Sequence, residues 1–269
     1  MGHLGADNVS QRFPGMVKRC ADCGFDLAGG RVEVVPTAHY MMGGIECAID
    51  TASSSPGLFV AGEDCGGVHG ANRLGGNGVA NSTVYGGIAG DSMAAYVADN
   101  QLWKEADQSV VEQGIARAEM PFGRQPDNLS VLRDSLHRTM WDKVGILRNE
   151  SDLKIAREEL NTQHTALYDT GLQDGQRAFN LTWHDWLNLQ SLFDISKVIA
   201  EASVARRDSR GAHFREDHPE TGDLDDTCYI RTSGSVDELL TEAVPVEFSI
   251  VRPGESLIED EAGAPPVTR

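Results

Sequence analysis

Residues 56–100 read PGLFVAGEDCGGVHGANRLGGNGVANSTVYGGIAGDSMAAYVADN, and a shorter run, PTAHYMMGG, stands at residues 36–44. Gly57-Leu58-Phe59-Val60-Ala61 is a short apolar run, which predicts a buried strand. Gly62-Glu63 ends it, and a glycine-rich turn holding His69, Asn72 and Arg73 follows. From Asn77 onward Val79, Ala80, Val84, Ile88, Ala89, Met93, Ala94 and Ala95 predict a helix. Strand, glycine turn and helix together bring backbone close to a flat or anionic ligand. Glycine removes the steric barrier to close approach. The helix N-terminus adds unpaired N–H groups and a partial positive charge.

Four side chains in these runs are candidates for ligand contact. Arg73 is flanked by Gly70, Gly75 and Gly76, so little bulk surrounds it. Its guanidinium fork matches a carboxylate, and a structural ion pair is the plain alternative. His39, in AHYMMGG, is either a cationic donor near neutral pH or a hydrogen-bonded core histidine. His69 is open between a structural and a pocket-lining role. Glu63 closes the predicted strand, where a carboxylate commonly accepts ligand hydroxyls; a capping or surface acid is the alternative.

AHYMMGG, PGLFVAGE and HGANRLGGN, in that order, resemble the FAD-dependent flavoprotein subunits of succinate dehydrogenase and fumarate reductase, and their relative L-aspartate oxidase. RRDSRGAHFRED, at residues 206–217, resembles the same family's C-terminal signature. The resemblance runs over residues 13–231. It implies an α/β fold: the C-terminal part of an FAD-binding Rossmann-like domain, then an antiparallel helical domain and a short β or irregular tail. It implies FAD as cofactor and hydride transfer between flavin and a C4 dicarboxylate. His39 and Arg73 would each hold a substrate carboxylate, with His69 lining the pocket. Glu63 would contact the ribityl or ribose side of FAD. Gly78 and Val79 would bring backbone amides to the flavin pyrimidine edge, where a helix N-terminus tunes redox potential, and Asn77 before them is a further cofactor-binding candidate. Family members usually continue Asn-Ser-Leu-Leu with an acid where this chain has Asn77-Gly78-Val79-Ala80-Asn81, so a hydroxyl is lost and the amides remain. The family's proton-shuttling arginine belongs upstream, so no catalytic acid is assigned here. An iron–sulfur subunit is the implied partner. An L-aspartate oxidase-like activity and a non-catalytic partner-binding remnant are the alternatives.

A complete enzyme of this type opens with a strand and G-x-G-x-x-G, the site of the cofactor pyrophosphate. No such fingerprint occurs in the 269 residues. The expectation is a C-terminal portion whose N-terminal half is encoded upstream or on another chain. The formal net charge of -18 argues against nucleic-acid binding through the general field. It also requires local cations for any acidic substrate. No apolar run is long enough to span a membrane. Five irregularly spaced cysteines fit a reducing compartment, hence a cytoplasmic location, with peripheral membrane attachment only through partner subunits. Cys20-x-x-Cys23 lacks two further ligands at zinc spacing and reads as structural or incidental, so no metal site is expected.

In chain order, residues 1–35 form the tail of a capping domain, with a short helix ending near Arg19. Residues 31–36 predict a strand delivering His39, and residues 47–55 a hairpin tip. Residues 36–102 are the remainder of the FAD-binding domain, and 103–231 the helical domain. There Leu132, Leu136, Met140, Val144 and Leu147 form one apolar face. Ser151 is the expected N-cap of the next helix, with Leu153, Ala156 and Leu160 inside. A longer helix over 173–205 carries Phe179, Trp183, Trp186, Leu187, Phe193, Ile195 and Ile199. Arg207, Arg210, His213 and Arg215 read as a turn held by pairing with Asp208, Glu216 and Asp217, with partner contact implied by the resemblance. In the tail, 232–269, the alternation through Val244, Val246, Phe248 and Ile250 predicts a strand pairing with one at 227–231, with Pro245 at an edge.

Overall fold

The structure, a computed structural model, describes residues 2–35, 39–100, 104–253 and 255. The chain divides into two units, Met1–Met41 and Met42–Arg269.

The first unit holds two short helices, α1 (Ala6–Arg12) and α2 (Pro14–Asp22), with Val9 buried. Pro14 opens α2, where a missing N–H costs nothing. At its end Gly24 has φ +83°; its N–H reaches the Ala21 carbonyl, and the Phe25 N–H that of Cys20. That pair of bonds is a Schellman motif, so the C-x-x-C segment is a helix terminus. Cys20 and Cys23 are both free thiols. The strand expected over 31–36 is not formed at its described residues, 31–35; residue 36 lies outside the description.

In the second unit, residues 45–66 are held by three isolated bridges: Ile45 with Cys65, Cys47 with Ser53, and Ala52 with Phe59. The hairpin tip forms as expected, with Ala48 N–H bonded to Ala52 and Thr51 N–H to Ala48. The strand predicted at 57–61 is reduced to the single bridge at Phe59, because no neighbouring strand among the described residues offers it a ladder. This segment runs alongside α3 (Asn77–Asp99). Phe59 packs edge-on to Tyr96, ring centroids 5.8 Å apart, and the Asn81 amide reaches the Gly62 carbonyl at 3.0 Å. Only Asn81 and Ala89 of α3 are buried.

Four helices follow: α4 (Gln108–Glu119), α5 (Leu129–Lys143), α6 (Glu150–Asp169) and α7 (Leu181–Ala205). Asp107, Asn128, Asn149 and Asn180 cap them in turn through side-chain oxygens. The core gathers Leu136 from α5, Leu153, Ala156, Leu160 and Leu167 from α6, and Trp186, Leu189 and Phe193 from α7. Each buried leucine or phenylalanine there contributes roughly 1.5–3 kcal/mol.

Three expectations here are corrected. Asn149, not Ser151, caps α6, accepting the Asp152 N–H. Leu147 is exposed, because α5 stops at Lys143 and Arg148 Nε donates to the Val144 and Gly145 carbonyls at the helix end. The last helix starts at Leu181, because Asn180 donates to the Asp174 and Gln176 carbonyls and holds that stretch as a loop. Phe179 therefore stands outside the helix, fully exposed with φ +58°, and Ile195 on α7 is also exposed.

A two-stranded antiparallel sheet closes the described chain, β1 (Cys228–Ser235) with β2 (Glu238–Pro245). Pro245 ends its strand, and Phe248 and Ile250 lie beyond it. Arg231 and Tyr229 of β1 grip Glu46 at 2.6 Å each, which holds the Glu46 carboxyl below the usual range.

Candidate functional site

The glycine-rich turn and the start of α3 form the site. Gly62, at φ +84°, opens one turn of 3-10 helix, Gly62–Asp64, which carries Glu63 exposed. A Cβ on Gly62 would stand 3.2 Å from Ser82 Oγ, so the turn lies close against α3. His69 is half-buried. Its Nε2 lies 3.2 Å from Asn81 Nδ2, which also donates to the Gly62 carbonyl. Since that carbonyl can only accept, Asn81 Nδ2 is a donor, and His69 Nε2 accepts with its proton on Nδ1. Asn81 thus ties His69 to the Glu63 turn. Sequence reading missed Asn81; the signal was a polar residue among small ones on the inner face of the predicted helix.

Arg73 is half-buried, with Nη1 3.3 Å from the Leu74 carbonyl. Gly76, at φ +87°, is the N-cap of α3, and no side chain caps that end, unlike α4 to α7. The amides of Asn77, Gly78 and Val79 open the first turn; that of Asn77 reaches the Leu74 carbonyl at 3.2 Å. His39 is exposed in the first unit. Glu63, His69, Arg73, Asn77, Gly78 and Val79 all belong to the second.

The second signature motif supports this turn from behind. The Ala212 N–H donates to the Ala71 carbonyl at 3.1 Å, and Gly211 has φ +54°. A Cβ on Gly211 would lie 2.2 Å from the Ala71 oxygen, so only glycine fits this approach. The rest of the motif is a self-contained polar network. Arg215 is fully buried and bonds Asp217 through two nitrogens at 2.8 Å, together with the Ser203 and Arg206 carbonyls at the end of α7. This pairing holds the Asp217 carboxyl far below the ordinary range. Arg206 and Arg210 both pair with Asp208 at 2.7 Å. Arg148 donates to His213 Nδ1 at 2.8 Å; burial and the Arg148 charge push the His213 imidazole down to about 4. Of the acids expected to hold the motif, Asp208 and Asp217 do so by ion pairing, while Glu216 contributes its N–H to the Arg148 carbonyl.

The residues fit a flat, anionic cofactor. Gly67, Gly70, Gly75 and Gly76 have open space where a Cβ would stand. Asn81 Oδ1 is buried with no hydrogen-bond partner among the described residues. FAD would find amide donors at the start of α3 and a carboxylate at Glu63. A separate depression of about 410 Å3, lined by Pro126, Asn128, Val131, Leu132 and Thr170, includes none of these residues. Among the described residues no cluster of His, Cys, Asp or Glu is placed to hold a metal ion, and no helix is long and apolar enough to cross a membrane.

Two family models match the chain: an FAD binding domain over residues 1–79, and the C-terminal domain of the fumarate reductase flavoprotein over residues 133–257. An uncharacterized FAD-dependent oxidoreductase of Methanocaldococcus jannaschii is 34% identical over 226 residues, 82% of this chain and 40% of that protein. The fumarate reductase flavoprotein subunit of Mycobacterium tuberculosis is 33% identical over 266 residues, 94% of this chain and 45% of that protein. Among solved structures, Mycobacterium smegmatis Sdh1 in complex with UQ1 superposes with a TM-score of 0.78 at 33% identity, covering 93% of this chain and 42% of that one. The chain therefore spans less than half the length of the relatives it matches. By sequence and fold it belongs to the succinate dehydrogenase/fumarate reductase flavoprotein family, whose cofactor is FAD.

Proposed function

We propose that this chain supplies the substrate-binding turn and the flavin-facing helix start of an FAD-dependent oxidoreductase acting on a C4 dicarboxylate. The observation that carries this reading is the uncapped start of α3 behind Gly76, joined to a turn whose glycines leave open space beside the backbone. Arg73 binds one substrate carboxylate through its fork, and His39 donates to the other. His69, tied at Nε2 to Asn81, lines the pocket and keeps the turn in place. Glu63 accepts hydroxyls of the FAD ribityl or ribose side. The amides of Gly78 and Val79 face the pyrimidine edge beside Asn77, where the helix start favours negative charge. FAD, when bound, supplies the hydride chemistry; the chain orients substrate and sets the local charge.

The remaining half of the cofactor site, with the pyrophosphate turn, belongs to the flavoprotein outside these residues, and the chain alone is expected to be inactive. Val79, Val84 and Val97 of α3 are exposed, and such apolar side chains suit contact with that half. An iron–sulfur subunit is the proposed electron partner, and through it any membrane attachment of a cytoplasmic protein. The test purifies the chain together with a polypeptide carrying the G-x-G-x-x-G half, then measures flavin absorbance and dye reduction with succinate, fumarate reduction, and L-aspartate oxidation. Retained flavin with dicarboxylate turnover is expected. Turnover of L-aspartate alone would move the substrate to the amino acid. A complex that folds but keeps no flavin would refute the reading.

A further inference from the structure

Cys47 Sγ and Cys65 Sγ lie 2.9 Å apart, and both are free thiols. Two backbone features impose the approach. Ile45 pairs in parallel with Cys65, its N–H on the Asp64 carbonyl at 2.8 Å and its carbonyl accepting from Gly66 at 3.0 Å. Gly44 makes that pairing possible, since a Cβ there would stand 2.3 Å from the Asp64 oxygen. The hairpin bridge of Cys47 with Ser53 then fixes the second cysteine. A disulfide needs an S–S separation of about 2.0 Å, so closure asks for roughly 0.9 Å of sulfur movement, within reach of small side-chain rotations. No contact among Cys20, Cys23 and Cys228 matches this one among the described residues.

We propose that Cys47 and Cys65 form a dithiol site that a hydroperoxide converts to a disulfide, locking the segment that carries Glu63. The two cysteines have different parts. Cys47 is half-buried and open to a small oxidant, while Cys65 is only 3% exposed. Cys47 thiolate attacks the outer peroxide oxygen, the O–O bond breaks, and an alcohol (or water, from hydrogen peroxide) leaves with a proton. Cys47 is then a sulfenic acid. The Cys65 sulfur attacks the Cys47 sulfur, the S–O bond breaks, and the departing hydroxide takes the Cys65 proton as water. One hydroperoxide is reduced by two electrons and the thiol pair is oxidised by two. Burial pushes the Cys65 thiol up to about 12, which agrees with its acting second, once the sulfenic acid is in contact. The bond would close a loop between two residues 18 apart, just after Glu63 and just before His69.

The test treats the purified chain with graded hydrogen peroxide, blocks remaining thiols with iodoacetamide, and maps the cysteines by mass spectrometry without reductant. Both cysteines fall in one tryptic peptide, residues 32–73, so a second cleavage at Asp50 and Asp64 separates them. The expected product is that peptide unalkylated and two hydrogens lighter, its fragments joined through Cys47 and Cys65. It should form at a lower peroxide dose than any link involving Cys20, Cys23 or Cys228, and revert with dithiothreitol. The oxidised chain should also melt at a higher temperature than the reduced one, a shift absent in Cys47→Ser. Both cysteines staying alkylatable after the other three have reacted would overturn the proposal. So would a link from Cys47 to any cysteine other than Cys65. The mapping on the unmodified chain needs no variant to fold.

Discussion

Replacing Gly211 by alanine tests whether the second motif holds the glycine-rich turn. Two costs add at this position. At φ +54° a residue with a Cβ sits in the left-handed region, which costs about 1–2 kcal/mol. The new Cβ would also stand 2.2 Å from the Ala71 oxygen and 2.5 Å from its carbon, both backbone atoms that cannot rotate away. The two segments must separate, which gives up the 3.1 Å bond from the Ala212 N–H to Ala71, worth about 1 kcal/mol. Gly211→Ala is therefore expected to lose roughly 2–3 kcal/mol, at the upper end of ordinary single substitutions. Urea unfolding measures the loss, and hydrogen exchange at the Ala212 amide reports whether the contact has opened. Gly75→Ala is the control: nothing stands within 4 Å of its Cβ position, so its effect should stay within about 0.5 kcal/mol. Wild-type stability together with wild-type exchange at Ala212 in the Gly211 variant would refute the reasoning.

Three further outcomes are expected. His213 titrates near 4 in the fold against about 6.5 unfolded, so the unfolded chain binds the extra proton between those values. Stability should be full above about pH 6.5 and fall as pH drops toward 4. His213→Gln should flatten that slope in unfolding midpoints taken across the window, and an unchanged slope would count against the assignment. Arg215→Met removes the buried donor to the carbonyls ending α7 and the partner of the exposed Asp217 carboxylate, and should cost about 1–3 kcal/mol by denaturant titration, whereas no measurable loss would show the network to be dispensable. In the reconstituted enzyme Arg73→Lys keeps charge but loses the fork; kcat/KM should fall at least about a hundredfold with flavin content unchanged. Flavin loss with that variant would move Arg73 from substrate to cofactor.

Much of the helical domain was legible because its signals are local. Leu153, Ala156 and Leu160 recur at the helical period, and all three are fully buried. The start of α3 after Asn77 and the glycine turn before it were equally readable, since both depend on what a residue without a side chain permits. The ends of elements were decided by longer reach. Ser151 and Asn149 are both competent caps; Asn149 prevails because its oxygen meets the Asp152 N–H and Asp217, far along the chain, takes the Glu150 N–H. Phe179 followed the helical period on paper, yet the amide of Asn180 bonds backward to residues 174 and 176 and expels it. The strand predicted at 57–61 had the right composition, but a strand exists only where a neighbour offers a ladder. At the candidate site, sequence by itself named the residues that the proposed chemistry needs: the guanidinium of Arg73, the carboxylate of Glu63 and the amides after Gly76. Only the tertiary structure decided what holds them, the Asn81 amide between His69 and Gly62 and the Gly211 contact on Ala71. Those partners are separated by many residues, and nothing in the periodicity or propensity of either segment encodes the other.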